Sequence, residues 1–475
     1  MIFVDAIFMH GRLFPNRPAI MLADRLVTFG MLAEAIHWVS ARILAAGLRP
    51  GDTVIVAIDN PIRFIAVMSA LMRLGIVVVP VHSSDAPKVA LARAVAIVTD
   101  TALAAPVGLR LVMVDDLWFQ PNRVPYPLDP HASDPGRLTL LALTSGTTGQ
   151  PKFIPFTVED LDRRIRDLYR YQPAPGTERD LLLLGLSSQW ALAQAARVLV
   201  AARTLCFAAS AEEAARMIDL YQVGTVIGSP QQLSALLEAL DETPASCASL
   251  RLVKTGGGRL SPQLLERIKH RLSPHIVSIY GSTEAGRTAM ASLAMLESEP
   301  GCVGLPVPDK PVDIVDDEDR PLPAGATGRI RILIAGGGQA VVPDGLYPDR
   351  TPGWFHPGDT GYFREDGLLI VVGRTDELIN AGGLKVAPER VELLVADRRD
   401  IADCAAFGLP GPAGIDQIWL AIVPRGPVRT DELLAWCAGR SEHLAPKRIL
   451  VVDAIPRNAM GKPERARLKA RAAGG

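Results

Sequence analysis

The stretch Thr53-Val-Ile-Val-Ala-Ile-Asp-Asn-Pro-Ile-Arg-Phe-Ile-Ala-Val-Met-Ser-Ala-Leu-Met-Arg-Leu-Gly-Ile-Val-Val-Val-Pro80 holds two short β-branched runs, 53–58 and 76–80. Between them, residues 61–74 carry apolar side chains at helical spacing. Strand, crossover helix and strand form the unit from which parallel sheets grow. The rhythm continues outward through apolar runs at 111–114, 138–143, 181–186, 225–227, 250–253 and 276–280. Runs apolar throughout are expected of strands covered on both faces. Five prolines in 121–135 and six in 300–323 exclude a continuous helix or central strand across either stretch. After the second, residues 328–334 and 367–372 read as strands of a smaller β-rich element, and the last hundred residues as a compact α+β unit. The Ala/Arg-rich tail is expected to fray.

Composition narrows the function. The chain has 475 residues, 48% of them hydrophobic, enough for a large core. With 50 Lys and Arg against 51 Asp and Glu, it lacks the basic excess of a nucleic-acid or membrane-surface binder. The least polar long stretch, 181–196, is interrupted by Ser187, Ser188, Gln189 and Gln194 and falls short of the ~20 apolar residues of a membrane span. The N-terminus meets Asp5 at once and makes a poor signal peptide. Cys206, Cys247, Cys302, Cys404 and Cys437 are scattered and form no C-x-x-C pair, which disfavours disulfides and zinc and points to a reducing, cytoplasmic setting.

The sharpest chemical signal is Leu141-Ala-Leu-Thr-Ser-Gly-Thr-Thr-Gly-Gln-Pro-Lys152. Here an apolar strand gives way to hydroxyls and glycines (Thr144, Ser145, Gly146, Thr147, Thr148, Gly149) closed by Lys152. Small residues let backbone N–H groups approach an anion, hydroxyls donate hydrogen bonds and the lysine adds charge, a set suited to a polyphosphate. It is neither a Walker A loop nor a dinucleotide fingerprint. Taken alone, the short Ser-Gly-Thr piece would be an ordinary polar turn.

This stretch resembles the phosphate-binding signature of the adenylate-forming superfamily of acyl-CoA synthetases, luciferases and peptide-synthetase adenylation domains. Further motifs follow in that family's order. In Tyr280-Gly-Ser-Thr-Glu284, a hydroxyl and a carboxylate at a strand's end suit a phosphate and its Mg²⁺. The resemblance puts Thr283 at the α-phosphate, Glu284 on Mg²⁺, Tyr280 beside adenine, and Gly281 and Ser282 in the same nucleotide site. Thr255-Gly-Gly-Gly258 corresponds to the glycine-rich wall, with Gly257 and Gly258 toward the nucleotide. Gly256 and Ile279 then fall toward the acyl group. In Gly353-Trp-Phe-His-Pro-Gly-Asp-Thr-Gly361, Asp359 matches the residue that holds both ribose hydroxyls; in Gly373-Arg-Thr-Asp376, Arg374 supports ribose and phosphates and Asp376 is the interdomain hinge. Ile379-Asn-Ala-Gly-Gly-Leu-Lys-Val-Ala-Pro388 resembles the segment used for thioester formation, with Gly382 and Gly383 beside the pantetheine chain. Ile455-Pro-Arg-Asn-Ala-Met-Gly-Lys462 resembles the motif that carries the adenylation lysine.

Three departures stand out. Pro357 replaces a Ser or Thr, and Arg390 stands where Glu is usual, although Glu392 remains. Ser187-Ser-Gln-Trp-Ala191 lacks the usual gating His; Trp190 is either its aromatic substitute or a core residue. No acid occurs between residues 181 and 211, which disfavours an α-amino acid substrate, because a buried ammonium would lack its counter-charge.

The resemblance implies an α/β fold. Residues 1–375 form a large adenylation core of mixed and parallel sheets covered by helices, with a β-rich subdomain. Residues 376–475 form a small mobile α+β lid. It implies two steps: a carboxylate attacks the α-phosphorus of ATP and expels pyrophosphate, then a thiol displaces AMP. Lys462 and the Mg²⁺ at Glu284 serve the first step, and no cysteine or histidine triad is needed. The expected cofactors and partners are ATP, Mg²⁺, a small carboxylic acid, and CoA or the phosphopantetheine of an acyl carrier protein. A catalytically silent nucleotide-binding protein on the same fold is the reading of a different class.

Overall fold

The computed structural model describes the chain except residues 90–92, 104–107, 123–133, 146–150, 171–177, 244, 336–351, 376, 382–383, 396–397, 399, 412–415, 458–462 and 474–475. Two compact units result, one of residues 1–228, 238–252 and 335–353, the other of 229–237, 253–334 and 354–475.

In the first unit, one sheet has the order Arg110–Met113, Ala94–Thr99, Thr53–Ala57, Val77–Pro80, Leu138–Ser145 and Pro151–Thr157. Its neighbours run parallel except the last pair, which is an antiparallel hairpin. Every residue of Thr53–Ala57 and Val77–Pro80 is buried, as the unbroken apolar runs require. The helix between them, Pro61–Arg73, begins where Asn60 Oδ1 accepts from the N–H groups of Ile62 and Arg63 at 3.0 and 3.1 Å, with proline at the first helical position. It stops at Gly75, whose φ of +70° any side chain would strain and whose absent Cβ leaves room for Arg137. The guanidinium of Arg137 uses that room to donate to the Gly75 carbonyl at 2.6 Å. Four strands of the second sheet, Thr225–Gly228, Arg179–Leu182, Thr204–Cys206 and Pro18–Met21, are parallel, and Leu26–Thr28 closes it antiparallel. The run at 181–186 is thus a strand only to Leu182, and the helix Gln189–Val200 follows it.

The second unit carries a largely antiparallel sheet, ordered Val312–Val315, Gly328–Ala335, Asp359–Phe363, Leu369–Arg374, Cys302–Pro306, Gly286–Ser292, Ile276–Ser282 and Leu252–Gly256. Only its last pair is parallel. Cys302–Pro306 is an internal strand inside the proline-rich stretch, contrary to the expectation for 300–323. Pro300 and Pro306 fall just before it and at its end, so neither removes a donor from its middle. Ala289, Ile314, Ile330, Ile332 and Leu369 form the core of this region.

The last hundred residues contain the sheet Ile401–Pro410, Asp416–Pro424 and Arg448–Val451, the short hairpin Ile379–Ala381 and Leu384–Val386, and the helices Pro388–Glu392, Thr430–Arg440 and Arg465–Ala473. Val391, Leu420, Ile422 and Leu433 fill one core and Phe407 and Leu468 another. The tail expected to fray is therefore a docked helix through Ala473: Leu468 is buried and Arg465 is held by ion pairs. No helix among the described residues is long and apolar enough to cross a membrane.

Candidate active site

Strand Ile276–Ser282 turns back into Gly286–Ser292 with Ser282 opposite Gly286, so Thr283, Glu284 and Ala285 make a three-residue hairpin loop. The sequence specifies that loop closely. Gly286 has φ +68°, the left-handed residue such loops use, and Ser282 Oγ accepts from Ala285 N at 3.1 Å. Gly281 is obligatory for another reason: a Cβ there would lie 2.0 Å from the Gly286 carbonyl oxygen. Thr283 and Glu284 are consequently displayed, half-buried, at the tip of a rigid hairpin.

Lys310 braces this loop from outside the hairpin. Its ammonium donates to the carbonyls of Ala285 at 2.5 Å and Arg287 at 2.7 Å. Nothing in the sequence pattern singles out Lys310, which lies among prolines that read only as punctuation.

Tyr280, Asp359 and Arg374 come together from three strands, Ile276–Ser282, Asp359–Phe363 and Leu369–Arg374. Asp359 and Arg374 are cross-strand partners, the guanidinium Nη1 standing 3.6 Å from Asp359 Oδ1. The Tyr280 phenol donates to Asp359 Oδ2 at 2.5 Å. Burial, and after it the Asp359 carboxylate, hold that phenol well above its ordinary pKa of 10. Gly358, at φ +83°, leaves the space in which Arg374 lies. Pro357 precedes it, and Asp359, two residues on from the proline, pairs with Arg374, so the proline does not displace the aspartate.

Gly256 ends the strand Leu252–Gly256, fully enclosed, and Gly257 turns the chain at φ +79° before the exposed Gly258. Ile279, one residue before Tyr280, is buried. In the first unit, Thr144 pairs with Lys152 and Ser145 with Pro151 across antiparallel strands. Gly146, Thr147, Thr148 and Gly149 lie outside the described residues, as do Asp376, Gly382, Gly383 and Lys462. Trp190 lies in the first turn of the helix Gln189–Val200, whose N-cap is Ser188, and packs on the large core of its unit. Its indole nitrogen is buried and has no hydrogen-bond partner among the described residues.

A network missed by sequence reasoning centres on Arg465. It donates to Glu377 at 2.5 Å, Glu392 at 2.8 Å, Glu389 at 3.4 Å and the Ala406 carbonyl at 2.9 Å. Glu392 also accepts from Ala406 N at 2.9 Å, whereas Arg390 points away, exposed. The substitution at position 390 thus falls outside the network. Burial, and then repulsion from Glu392, raise the Glu389 carboxyl above its ordinary pKa.

Residues 8–340 match the family described as AMP-binding enzyme, and residues 390–462 match the AMP-binding enzyme C-terminal domain. The chain belongs to the AMP-binding enzyme family. Among curated relatives of this AMP-binding enzyme, a probable CoA ligase of Humulus lupulus is 28% identical over 494 aligned positions, covering 95% of this chain and 93% of the relative. A fatty acid–acyl-carrier-protein ligase of Streptomyces coeruleorubidus is 26% identical, covering 97% and 95%. The fold is shared with o-succinylbenzoate coenzyme A synthetase of Bacillus subtilis solved with AMP, at TM-score 0.84, 23% identity and 98% coverage of both chains. That synthetase has also been solved with ATP and magnesium.

Proposed function

We propose that this AMP-binding enzyme activates a small carboxylic acid with ATP and passes the acyl group to the thiol of CoA. A carboxylate oxygen bonds to the α-phosphorus of ATP as the bond to pyrophosphate breaks. The thiol, giving up its proton, then bonds to the acyl carbon and AMP leaves. The observation that carries this reading is the Tyr280–Asp359–Arg374 arrangement, on the same sheet as the Thr283–Glu284 hairpin. A carboxylate backed by a guanidinium accepts paired ribose hydroxyls, and a threonine and a glutamate at a loop tip meet phosphate and its metal.

Glu284 and Thr283 supply hard oxygen donors of the kind Mg²⁺ selects. Among the described residues no cluster of three or more His, Cys, Asp or Glu stands ready to enclose a metal. That suits an ion held by one carboxylate, with phosphate oxygens and water completing its shell. When bound, Mg²⁺ would neutralise phosphate charge. Thr144, Ser145 and the residues up to Lys152 take the outer phosphates, and Lys462 takes the α-phosphate during the first step. We assign no cysteine a catalytic role: burial lifts the Cys206 thiol to about 12 and Cys404 well above its ordinary value. The five free cysteines suit a cytoplasmic enzyme. Residues 376–475 are proposed to swing about Asp376 between the two steps, exchanging Lys462 for Gly382 and Gly383. Trp190, Gly256 and Ile279 are the proposed acyl contacts.

The relative named as an acyl-carrier-protein ligase favours a second acceptor, a carrier-protein phosphopantetheine. Acid-dependent pyrophosphate exchange over a panel of carboxylic acids tests the first step. AMP release with free CoA or holo-carrier protein then separates the acceptors. ATP binding without any acid-dependent exchange would overturn the enzyme reading.

A further inference from the structure

We propose that Lys310 is a positioning residue for the first half-reaction, holding the Thr283–Glu284 loop in the conformation that grips Mg²⁺ and phosphate. The inference rests on the functional reading of that loop and adds to it a residue from a different part of the chain.

The geometry supports it in three ways. First, Lys310 donates to the carbonyls of Ala285 and Arg287, the residues on either side of the left-handed Gly286 that closes the loop. A glycine at positive φ is the joint about which such a loop flexes most easily, and one ammonium spans it. Second, Lys310 is itself firmly placed. Cys302–Pro306 pairs with Gly286–Ser292 at Ala289 and Met290, Val307 N donates to the Thr288 carbonyl at 2.8 Å, and Lys310 N donates to the Val307 carbonyl at 3.0 Å. The brace therefore returns to the same strand it supports, one turn away. Third, the bonds are charge-assisted and half-buried, the circumstance in which a lysine–carbonyl contact is strongest.

The ammonium also acts electrostatically. It withdraws electron density from the two carbonyls at the loop's base and fixes both peptide dipoles toward itself. Without it, the Ala285 carbonyl is free to rotate toward the site, and Glu284 loses its fixed approach to the metal. The consequence is specific: metal affinity in the ATP complex falls, whereas acid affinity does not.

The experiment is a Mg²⁺ titration of pyrophosphate exchange for the wild type, Lys310→Met, Lys310→Arg and Glu284→Gln, each checked by thermal melting. The expected result is a rise of about ten-fold or more in half-saturating Mg²⁺ for Lys310→Met. Lys310→Arg, which keeps two donors, should recover most of the shift. Thioester formation from supplied acyl-adenylate, which needs no metal grip, should change less than two-fold. Should Lys310→Met fail to fold, Lys310→Gln carries the same test with one weaker donor. A wild-type Mg²⁺ profile in the lysine variants beside a shifted profile in Glu284→Gln overturns the inference alone. An unshifted profile in Glu284→Gln overturns the reading of the loop and the inference with it.

Discussion

Tyr280 and Asp359, 79 residues apart, are joined by a 2.5 Å hydrogen bond in which the phenol donates to Oδ2, while Arg374 Nη1 stands 3.6 Å from Oδ1. The aspartate is thereby held at a fixed rotation, and on the proposed reading its oxygens are oriented before the ribose arrives. Preorganisation of this kind lowers the ordering cost of binding. Asp359→Ala should raise the KM for ATP about ten- to hundred-fold, the loss expected when hydrogen bonds to a charged group worth about 1.5–3 kcal/mol disappear. The KM for the acid should be unchanged. Parallel initial-rate measurements in ATP and acid check the split.

The same bond has a pH signature. An unfolded tyrosine titrates near pH 10, whereas burial and the adjacent carboxylate hold the Tyr280 phenol well above that value in the fold. Its stabilising contribution is fully present below pH 10 and is lost as pH rises from there toward the folded pKa. The wild type should therefore lose more thermal stability between pH 9 and pH 11 than Tyr280→Phe does. Melting curves of the two proteins across that window, taken as a difference, isolate the effect from the other tyrosines.

Glycines at the hairpin predict a different failure. A Cβ on Gly281 would sit 2.0 Å from the Gly286 carbonyl oxygen, and one on Gly304 would sit 1.8 Å from the Met290 carbonyl oxygen at a φ of +87°. Backbone meets backbone in both cases, so no side chain can rotate out of the way. Gly281→Ala and Gly304→Ala should each destabilise the fold by roughly 3 kcal/mol or more, beyond the usual range for single substitutions. Chemical denaturation measures it, and a loss under 1 kcal/mol would show that the strands part more easily than their register suggests.

What could be read in advance follows from how local each signal is. The crossover unit at 53–80 was legible because strand and helix periods are written into consecutive residues, and Asn60 with Pro61 marks the helix start. Tyr280, Glu284 and Asp359 stand out in the sequence because their motifs are contiguous. Lys310 and Arg465 were not, since their partners lie 23 and 25 residues away in one case and up to 88 in the other. An isolated lysine among prolines and an arginine in a basic tail carry no pattern until folding supplies their acceptors. The internal strand Cys302–Pro306 is hidden for a related reason: the number of prolines in 300–323 does not say where they fall relative to a strand's ends, and only that position matters.

Arg465 and its three glutamates make opposite predictions for their two halves. Removing the guanidinium leaves Glu377, Glu389 and Glu392 facing one another, so Arg465→Met should cost about 3–5 kcal/mol, the usual penalty for orphaning buried charge. Glu389 behaves differently, because its folded pKa is raised by burial and by Glu392. A raised carboxyl contributes stability below its unfolded pKa near 4.5 and loses it as pH climbs through the folded value. Glu389→Gln should thus be as stable as the wild type or more so at pH 8, with the advantage shrinking toward pH 5. Urea denaturation at the two pH values checks the sign.

The described residues that flank Lys462 in the sequence are anchored. On one side, Arg457 donates to both oxygens of Asp403 at 2.7 and 2.9 Å and bridges to Pro463, while Glu464 N donates to the Pro456 carbonyl at 2.7 Å. On the other, Arg465 grips Glu377 and Glu392. On the proposed reading Lys462 meets charge that develops on the α-phosphate, and one such charge is worth about 10²–10³ in rate. Lys462→Ala should reduce acyl-adenylate formation by at least that factor. Thioester formation from supplied acyl-adenylate involves no pentavalent phosphorus, and it should fall less than about ten-fold. Single-turnover measurements of the two half-reactions decide the matter, and an equal loss in both would mean that the lysine holds structure and does not meet the reacting phosphate.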